Sequence, residues 1–215
     1  MKIKTSRRQF IGAASTLVVG SLMSSENAFG MPSFINNLAK PKSTIQGVTI
    51  GLITYSFRDL PDQSAEATLD YIRQCGITNI ELMGGPAESF AGAPKNPVDF
   101  RTMLPIWRKR QQKEELTEDE KKALADVEAK NKAYREEMSA WRQKAPMAKF
   151  EAFKNMYKKA GISIYAFKPD AFGMQNSDAD IDYGLRAAKA LGASHITLEH
   201  PSNDAHTLKL GKAAE

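Results

Sequence analysis

The pattern that most constrains the fold of this chain occurs three times: the end of an amphipathic helix, a glycine, a short strand and a polar tip. Its copies cover residues 75–85, 160–170 and 191–201. Glycine ends a helix in the left-handed conformation without steric cost, so each copy marks a helix that stops and a strand that begins. Helices that alternate with strands are typical of βα units built around a parallel sheet.

Four βα units are predicted when the β-branched, apolar stretch at 47–55 is counted as the first strand. The later strands are expected at 77–83, 162–167 and 193–198. Helices on one face of such a sheet leave the other face bare, and two architectures cover it: the eightfold barrel and the doubly wound sheet. The fold class that we predict is α/β, a TIM (β/α)8-type barrel of which only about four βα units are present.

Residues 1–30 are predicted to be an export signal rather than part of the fold. Arg7 and Arg8 precede an apolar, small-residue run in a context that resembles the twin-arginine translocation motif. Because this run is shorter than the roughly 20 residues of a spanning helix, we expect no membrane span once the signal is removed. A membrane anchor and a chance arginine pair are the alternatives. The signal predicts a periplasmic or extracellular protein, and residues 31–46 are interpreted as a linker.

The charge distribution argues against a nucleic-acid partner. Of the formal net charge of +5, the first 30 residues contribute +3, through four basic residues and one acidic residue. The +2 that is left for the other residues is too small to predict a polyanion partner. Cys75 is the only cysteine, which excludes a disulfide within the chain. We expect Cys75 to be a small buried core residue.

A helical insertion at about residues 87–147 is predicted after the second strand, where the βα rhythm stops. Residues 87–105 carry a glycine and several prolines and are expected to form a loop. A capping-box pattern at Thr117 predicts the start of a long amphipathic helix. Its expected buried seam is Leu124, Val127, Tyr134, Met138 and Trp141. Two interpretations remain open: a lid or oligomer contact over the mouth of the site, and a solvated decoration packed on one face.

The alternation of side chains along two strands predicts where two carboxylates point. Glu81 in the second strand and Glu199 in the fourth have the parity opposite to their aliphatic neighbours. The aliphatic residues expected to face the helices are Ile80, Leu82, Ile196 and Leu198. Glu81 and Glu199, together with Thr197, are therefore expected to face the interior of a barrel, near the C-terminal ends of the strands, where barrel enzymes have their active sites. The alternative is purely structural pairing with Arg58, Lys168 or His200.

Three stretches resemble the xylose isomerase-like TIM-barrel superfamily, in particular its secreted sugar phosphate isomerase/epimerase group. They are residues 50–59 at the first strand, 76–84 at the second and 191–199 at the fourth. The resemblance covers the chain from Gly47 onward, and the export signal also fits that group.

The resemblance implies a divalent metal ion, Mn, Mg, Co or Zn, held by Glu, Asp and His ligands that lie mainly on strands five to eight. No metal ligand is therefore assigned in this chain, and no catalytic residue is assigned either. The expected substrate-side residues are Tyr55, Arg58, Glu81, Lys168, Glu199 and His200.

The resemblance implies that the chain is the N-terminal part of an exported, metal-dependent sugar (phosphate) isomerase or epimerase. We expect this truncated part to be inactive alone. The alternative is a non-catalytic carbohydrate-binding or interaction module on the same fold. The related metal-dependent endonuclease branch is disfavoured by the low charge and by the export signal. The expected partner is a small-molecule sugar or sugar derivative, with homo-oligomer formation as a further alternative.

Overall fold

The computed structural model describes residues 42–198 and 203–215, which form a mixed α/β fold. The predicted export signal, residues 31–41 of the predicted linker, Glu199 and His200 lie outside the described residues. The strands are β1 (Thr44–Ile45), β2 (Val48–Thr49), β3 (Gly51–Ile53), β4 (Asn79–Met83), β5 (Ser163–Lys168) and β6 (His195–Ile196). The helices are α1 (Ala65–Gln74), α2 (Gly84–Phe90), α3 (Phe100–Gln111), α4 (Glu118–Gln143), α5 (Met147–Lys159), α6 (Asp178–Leu191) and α7 (Asp204–Ala214).

A small hairpin replaces the start of the predicted first strand and the end of the predicted linker. Strands β1 and β2 pair antiparallel around Gln46 and Gly47, whose φ angles are 50° and 82°. Positive φ at both central residues is what a tight two-residue hairpin turn requires. The continuous strand predicted at 47–55 is therefore wrong: only Gly51–Ile53 joins the main sheet, and Thr54–Phe57 forms a 3₁₀ turn.

The main sheet is parallel and has four strands in the order β3-β4-β5-β6, so neighbours in the chain are neighbours in the sheet. Each of the three predicted helix-ending glycines, Gly76, Gly161 and Gly192, has a positive φ. The repeated helix–glycine–strand pattern is confirmed at these positions. The last strand is shorter than the predicted 193–198, since only two residues pair with β5.

The core lies between one face of the sheet and helices α1, α5 and α6. Ile80 and Leu82 are fully buried on that face, as the alternation predicts, while Glu81 between them is half-buried on the other face. The fully buried aromatic residues of the core are Phe150, Phe153, Tyr157, Phe167 and Tyr183. Within the described residues the second face is not covered by a helix, and Tyr165 there keeps 41% of its surface exposed.

A β-bulge in β5 changes which residues share a face. Ile80 pairs with Ile164, but Glu81 pairs with Ala166, so Tyr165 has no partner in the ladder. An extra residue reverses the alternation beyond it. Ile164 and Phe167, three residues apart, consequently both lie in the core.

The long helix of the insertion is confirmed, and the preceding loop is confirmed only at residues 91–99. Helix α4 begins with the capping box at Thr117: its side chain accepts a hydrogen bond from the backbone N–H of Glu120, whose carboxylate accepts one from the N–H of Thr117. The two ends of the predicted loop at 87–105 are helical instead: residues 87–90 belong to α2 and residues 100–105 to α3. Pro86 is compatible with helix because it lies in the first turn of α2, where no intrahelical donor is needed.

Cys75 is exposed, contrary to the prediction that it is a buried core residue. It is the C-cap of α1, one residue beyond the last turn of the helix. The buried face of α1 is instead formed by Ala65, Thr68 and Ile72.

Candidate functional site

A pocket of about 670 Å³ opens at the carboxyl end of the first parallel strands, and we call it the mouth pocket. Its walls come from the 3₁₀ turn after β3, from α2, from the loop after α2 and from helix α4 of the insertion. The polar and aromatic residues that line it include Tyr55, Arg58, Gln63, Glu88, Lys95, Asn96, Tyr134 and Asp170. In parallel α/β folds this edge is where ligands bind, because the loops that follow the strands meet there.

Two predicted substrate-side residues, Tyr55 and Arg58, come together in the mouth pocket. The guanidinium carbon of Arg58 lies 4.6 Å from the centroid of the Tyr55 ring, a cation–π contact. Tyr55 keeps 51% of its surface exposed, so the stacked pair is accessible from the pocket. Both residues are positioned by the 3₁₀ turn that begins where β3 ends.

The other predicted residues with a described position, Glu81 and Lys168, lie on the uncovered face of the sheet. Glu81 accepts a 2.6 Å hydrogen bond at Oε1 from the Thr197 hydroxyl. Lys168 ends β5, opposite Met83 in the ladder. Neither Glu81 nor Lys168 is among the residues that line the mouth pocket. The predicted set is thus divided between two surfaces.

A buried cluster that includes Glu88, one of the residues lining the mouth pocket, was not predicted. Its centre is Arg142, the last buried residue of α4, which is only 7% exposed. The guanidinium Nη1 lies 3.4 Å from Asp180 Oδ1, and Nη2 lies 3.8 Å from Glu88 Oε1. The Tyr183 hydroxyl donates a 3.0 Å hydrogen bond to the same Glu88 oxygen. Arg142 therefore joins the insertion to α2 and to α6 through two buried carboxylates.

The two carboxylates of this cluster have opposite pKa shifts. Burial raises the pKa of Glu88, and the nearby charge of Asp170 adds to this, while Arg142 and the Tyr183 hydroxyl act against it. Burial acts in the same direction on Asp180, but hydrogen bonds from Ser177 and Ser139 and the charge of Arg142 outweigh it and lower the pKa. Asp180 is thus held ionised, and Glu88 is the more readily protonated partner.

Two tyrosines near Glu88 are held in their neutral form. Burial, followed by the charge of Glu88, raises the pKa of Tyr183 and of Tyr134. Both phenols therefore keep their protons at neutral pH. A neutral phenol can both donate and accept a hydrogen bond.

A second pocket of about 470 Å³ lies against the same cluster, between α4 and the segment that follows β5. It shares four lining residues with the mouth pocket: Glu88, Tyr134, Met138 and Asp170. Helix α4 consequently lines both pockets.

The described residues do not fit a metal centre. Within 42–198 and 203–215, no three His, Cys, Asp or Glu side chains stand close enough together to hold an ion. Two of the carboxylates that line the mouth pocket already have other partners: Glu88 faces Arg142, and Asp62 accepts a hydrogen bond from the backbone N–H of Ser64. We therefore derive no chemical step through a metal ion bound to these residues.

No family model matches the sequence, and neither a curated protein nor a solved structure matches the chain. Among the described helices, none combines the length and the apolar character needed to cross a membrane.

Sequence signals existed for parts of the buried cluster. The segment Ser177–Asp180 has the spacing of a capping box, which places Asp180 in the first turn of α6. Pro86, at a position that suits a first helical turn, would have placed Glu88 on a helix. Arg142 carried no such signal, because it is one of many charged residues in α4 and only tertiary packing distinguishes it from its exposed neighbours.

Proposed function

We propose that this chain forms the first half of a (β/α)8 barrel belonging to an exported sugar (phosphate) isomerase or epimerase. The observation that supports a barrel is the strand order β3-β4-β5-β6, with the core helices on one face of the sheet. Right-handed crossovers between consecutive neighbours put every helix on the same side. A doubly wound sheet instead reverses its strand order at a switch point and has helices on both faces.

The uncovered face supports the same architecture. In a closed barrel this face would line the interior, where side chains from alternate strands fill the space in layers. Glu81 and Thr197 form a hydrogen bond across the sheet on this face. A polar interior contact near the carboxyl ends of the strands suits the position of barrel active sites.

The mouth pocket has the chemistry of a site for a hydroxyl-rich ligand. The amide oxygen of Gln63, the amide N–H groups of Asn96 and the hydroxyl of Ser89 can hydrogen-bond to sugar hydroxyls. The exposed ring of Tyr55 offers an apolar surface. Arg58 and Lys95 are the cations that could receive a phosphate group. These features support a sugar or sugar phosphate as the ligand.

The metal ion implied by the family resemblance would supply Lewis-acid polarisation of a carbonyl and its neighbouring hydroxyl. Its ligands would have to come from residues other than those the structure describes. The described residues that would bind and orient the sugar are Tyr55, Arg58 and Tyr134, which all line the mouth pocket.

Binding of monosaccharides to the chain tests the site. We expect D-xylose, D-fructose or their phosphates to bind in calorimetric titrations, and Arg58→Ala to weaken binding about tenfold, the loss of about 1.4 kcal/mol. Arg110→Ala is the matched control, since Arg110 is exposed and lies outside the mouth pocket. The proposal is wrong if none of these sugars binds, or if both variants bind alike.

Turnover distinguishes an enzyme from a carbohydrate-binding module on the same fold. It should be measured with the longest product that the gene encodes, with Mn²⁺, Mg²⁺, Co²⁺ or Zn²⁺ added. Metal-dependent interconversion of aldose and ketose, or of epimers, supports the enzyme. Binding of sugar without turnover under all four conditions supports the module.

A further inference from the structure

Helix α4 belongs to the insertion, yet two of its residues help to line the mouth pocket. Tyr134 and Met138, one helical turn apart, lie in the wall of the same pocket as Tyr55 and Arg58. Met138 is only 4% exposed, so this part of α4 is packed against the rest of the fold rather than solvated.

The end of α4 is fastened by buried contacts. Arg142, one turn after Met138, reaches Glu88 on α2 and Asp180 on α6. The Ser139 hydroxyl donates a 3.1 Å hydrogen bond to Asp180, and the Trp141 ring lies 5.7 Å from that of Tyr183. The side chains of Glu88 and Asp180 are only 7% and 5% exposed.

The beginning of α4 is held differently. Its ion pairs with α3, Lys109–Glu120 at 2.7 Å and Arg110–Glu128 at 3.6 Å, join more exposed side chains. Such pairs contribute little stability because water screens them. The fixed part of α4 is therefore the part that faces the pocket.

We propose that α4 is a fixed wall of the mouth pocket, that Tyr134 is a specificity-determining residue for the sugar, and that Arg142 is its positioning residue. The sugar as ligand rests on the function proposed above, whereas the attachment of α4 by Arg142 does not. Burial raises the pKa of Tyr134, so its hydroxyl stays protonated. It can therefore form a hydrogen bond to a ligand hydroxyl that points toward it, and not to one that points away. A site group that hydrogen-bonds a substrate hydroxyl discriminates strongly against a ligand that lacks it.

Selectivity between epimers tests Tyr134. The probes are D-glucose and its epimers D-mannose, D-allose and D-galactose, titrated into the full chain to give four dissociation constants. We expect Tyr134→Phe to reduce the largest ratio between epimers at least fivefold. Tyr165→Phe is the control, since Tyr165 is exposed on the uncovered face of the sheet and does not line the pocket.

The outcomes separate the two proposals. If the unmodified chain binds none of the sugars and sugar phosphates tested, the proposed function fails and the assignment of Tyr134 fails with it. If sugars bind but Tyr134→Phe leaves every ratio unchanged, only the assignment of Tyr134 is wrong.

Coupling between the two residues tests the role of Arg142. Residues that act through one another give non-additive effects when they are changed together. We expect Arg142→Met to lower selectivity, Arg142→Lys to restore part of it, and Tyr134→Ala/Arg142→Met to have the selectivity of Tyr134→Ala alone. Additive losses, or no restoration by lysine, would overturn the positioning role.

A readout without sugar covers the case in which Arg142→Met does not fold. Glu88→Gln and Asp180→Asn each weaken one contact of Arg142 and keep the shape of the side chain. Amide hydrogen exchange over residues 131–143 should accelerate in both, relative to Arg110→Met. Unchanged exchange in both variants would show that Arg142 does not fasten the helix.

Discussion

The Thr197 hydroxyl donates a 2.6 Å hydrogen bond to Glu81 Oε1, although the two residues are 116 positions apart. Strand β5 lies between β4, which holds Glu81, and β6, which Thr197 follows. The small side chain of Ala166, paired with Glu81 in the ladder, stands between them. The contact fixes the direction in which both side chains point: away from the helices, on the uncovered face.

Removing the donor tests this contact. Thr197→Val keeps the shape of the side chain and deletes its hydroxyl, so the half-buried Glu81 carboxylate loses a hydrogen bond. We expect a loss of about 1–2 kcal/mol in the free energy of unfolding, measured by urea denaturation. The control is Thr207→Val, since the hydroxyl of Thr207 bonds only a carbonyl of its own helix start. Equal losses in the two variants would mean that the contact with Glu81 adds nothing.

Breaking the buried ion pairs of Arg142 should be far more costly. Arg142→Met leaves Glu88 and Asp180 without their shared cation, and uncompensated buried charge typically costs about 3–5 kcal/mol. Arg110→Met removes an exposed pair with Glu128 and should cost below about 1 kcal/mol. Urea denaturation of both variants measures the difference. A loss below about 1 kcal/mol for Arg142→Met would show that the cluster is dispensable for folding.

Local rules predicted the parts of the fold that depend on neighbouring residues. The glycines that follow three of the helices, the capping box at Thr117 and the alternation of Ile80 and Leu82 around Glu81 can all be recognised over a few positions. Each is confirmed, because backbone conformation and side-chain direction at these positions follow from short-range sterics.

The parts that were missed depend on distant residues or on single backbone irregularities. The bulge at Tyr165 has no sequence marker, yet it reverses the alternation in β5. The cluster of Glu88, Arg142 and Asp180 unites three elements, and the last two residues are 38 positions apart. A charged residue in an amphipathic helix is predicted to be solvated unless its partner is known, so this cluster could not be derived from the sequence.

The raised pKa of Glu88 predicts a definite pH dependence of stability. The folded pKa lies above the unfolded value of 4.5, because burial outweighs the opposing Arg142 and Tyr183 while Asp170 adds to it. The contribution of Glu88 is therefore fully present below pH 4.5 and is lost as pH rises through the folded pKa. Relative to Glu88→Gln, the unmodified chain should lose stability between pH 4 and pH 7. Thermal unfolding of both proteins across this range measures the difference, and parallel curves would contradict it.

The lowered pKa of Asp180 predicts the opposite dependence of stability on pH. Its folded pKa lies below the unfolded value of 3.8, because bonds from Ser177 and Ser139 and the Arg142 charge outweigh burial. The stability that it supplies is present above pH 3.8 and is lost as pH falls through the folded pKa. Asp180→Asn should therefore be destabilised at pH 7, with a difference from the unmodified chain that narrows in acid. Urea denaturation at pH 7, 5 and 3 tests this, and a difference that widens in acid would refute it.

Replacement of two helical glycines by alanine should change the stability of the fold in opposite directions. A Cβ at Gly184 in α6 would lie 2.6 Å from a ring carbon of Phe172, which is itself buried. Overpacking of this kind costs about 1–3 kcal/mol, so Gly184→Ala should lower the melting temperature. A Cβ at Gly211 in α7 meets open space, and the higher helix propensity of alanine should stabilise Gly211→Ala by about 0.5–1 kcal/mol. Calorimetric melting of the two variants gives the signs directly. If Gly184→Ala melted no lower than Gly211→Ala, the close packing of α6 against the turn at Phe172 would be wrong.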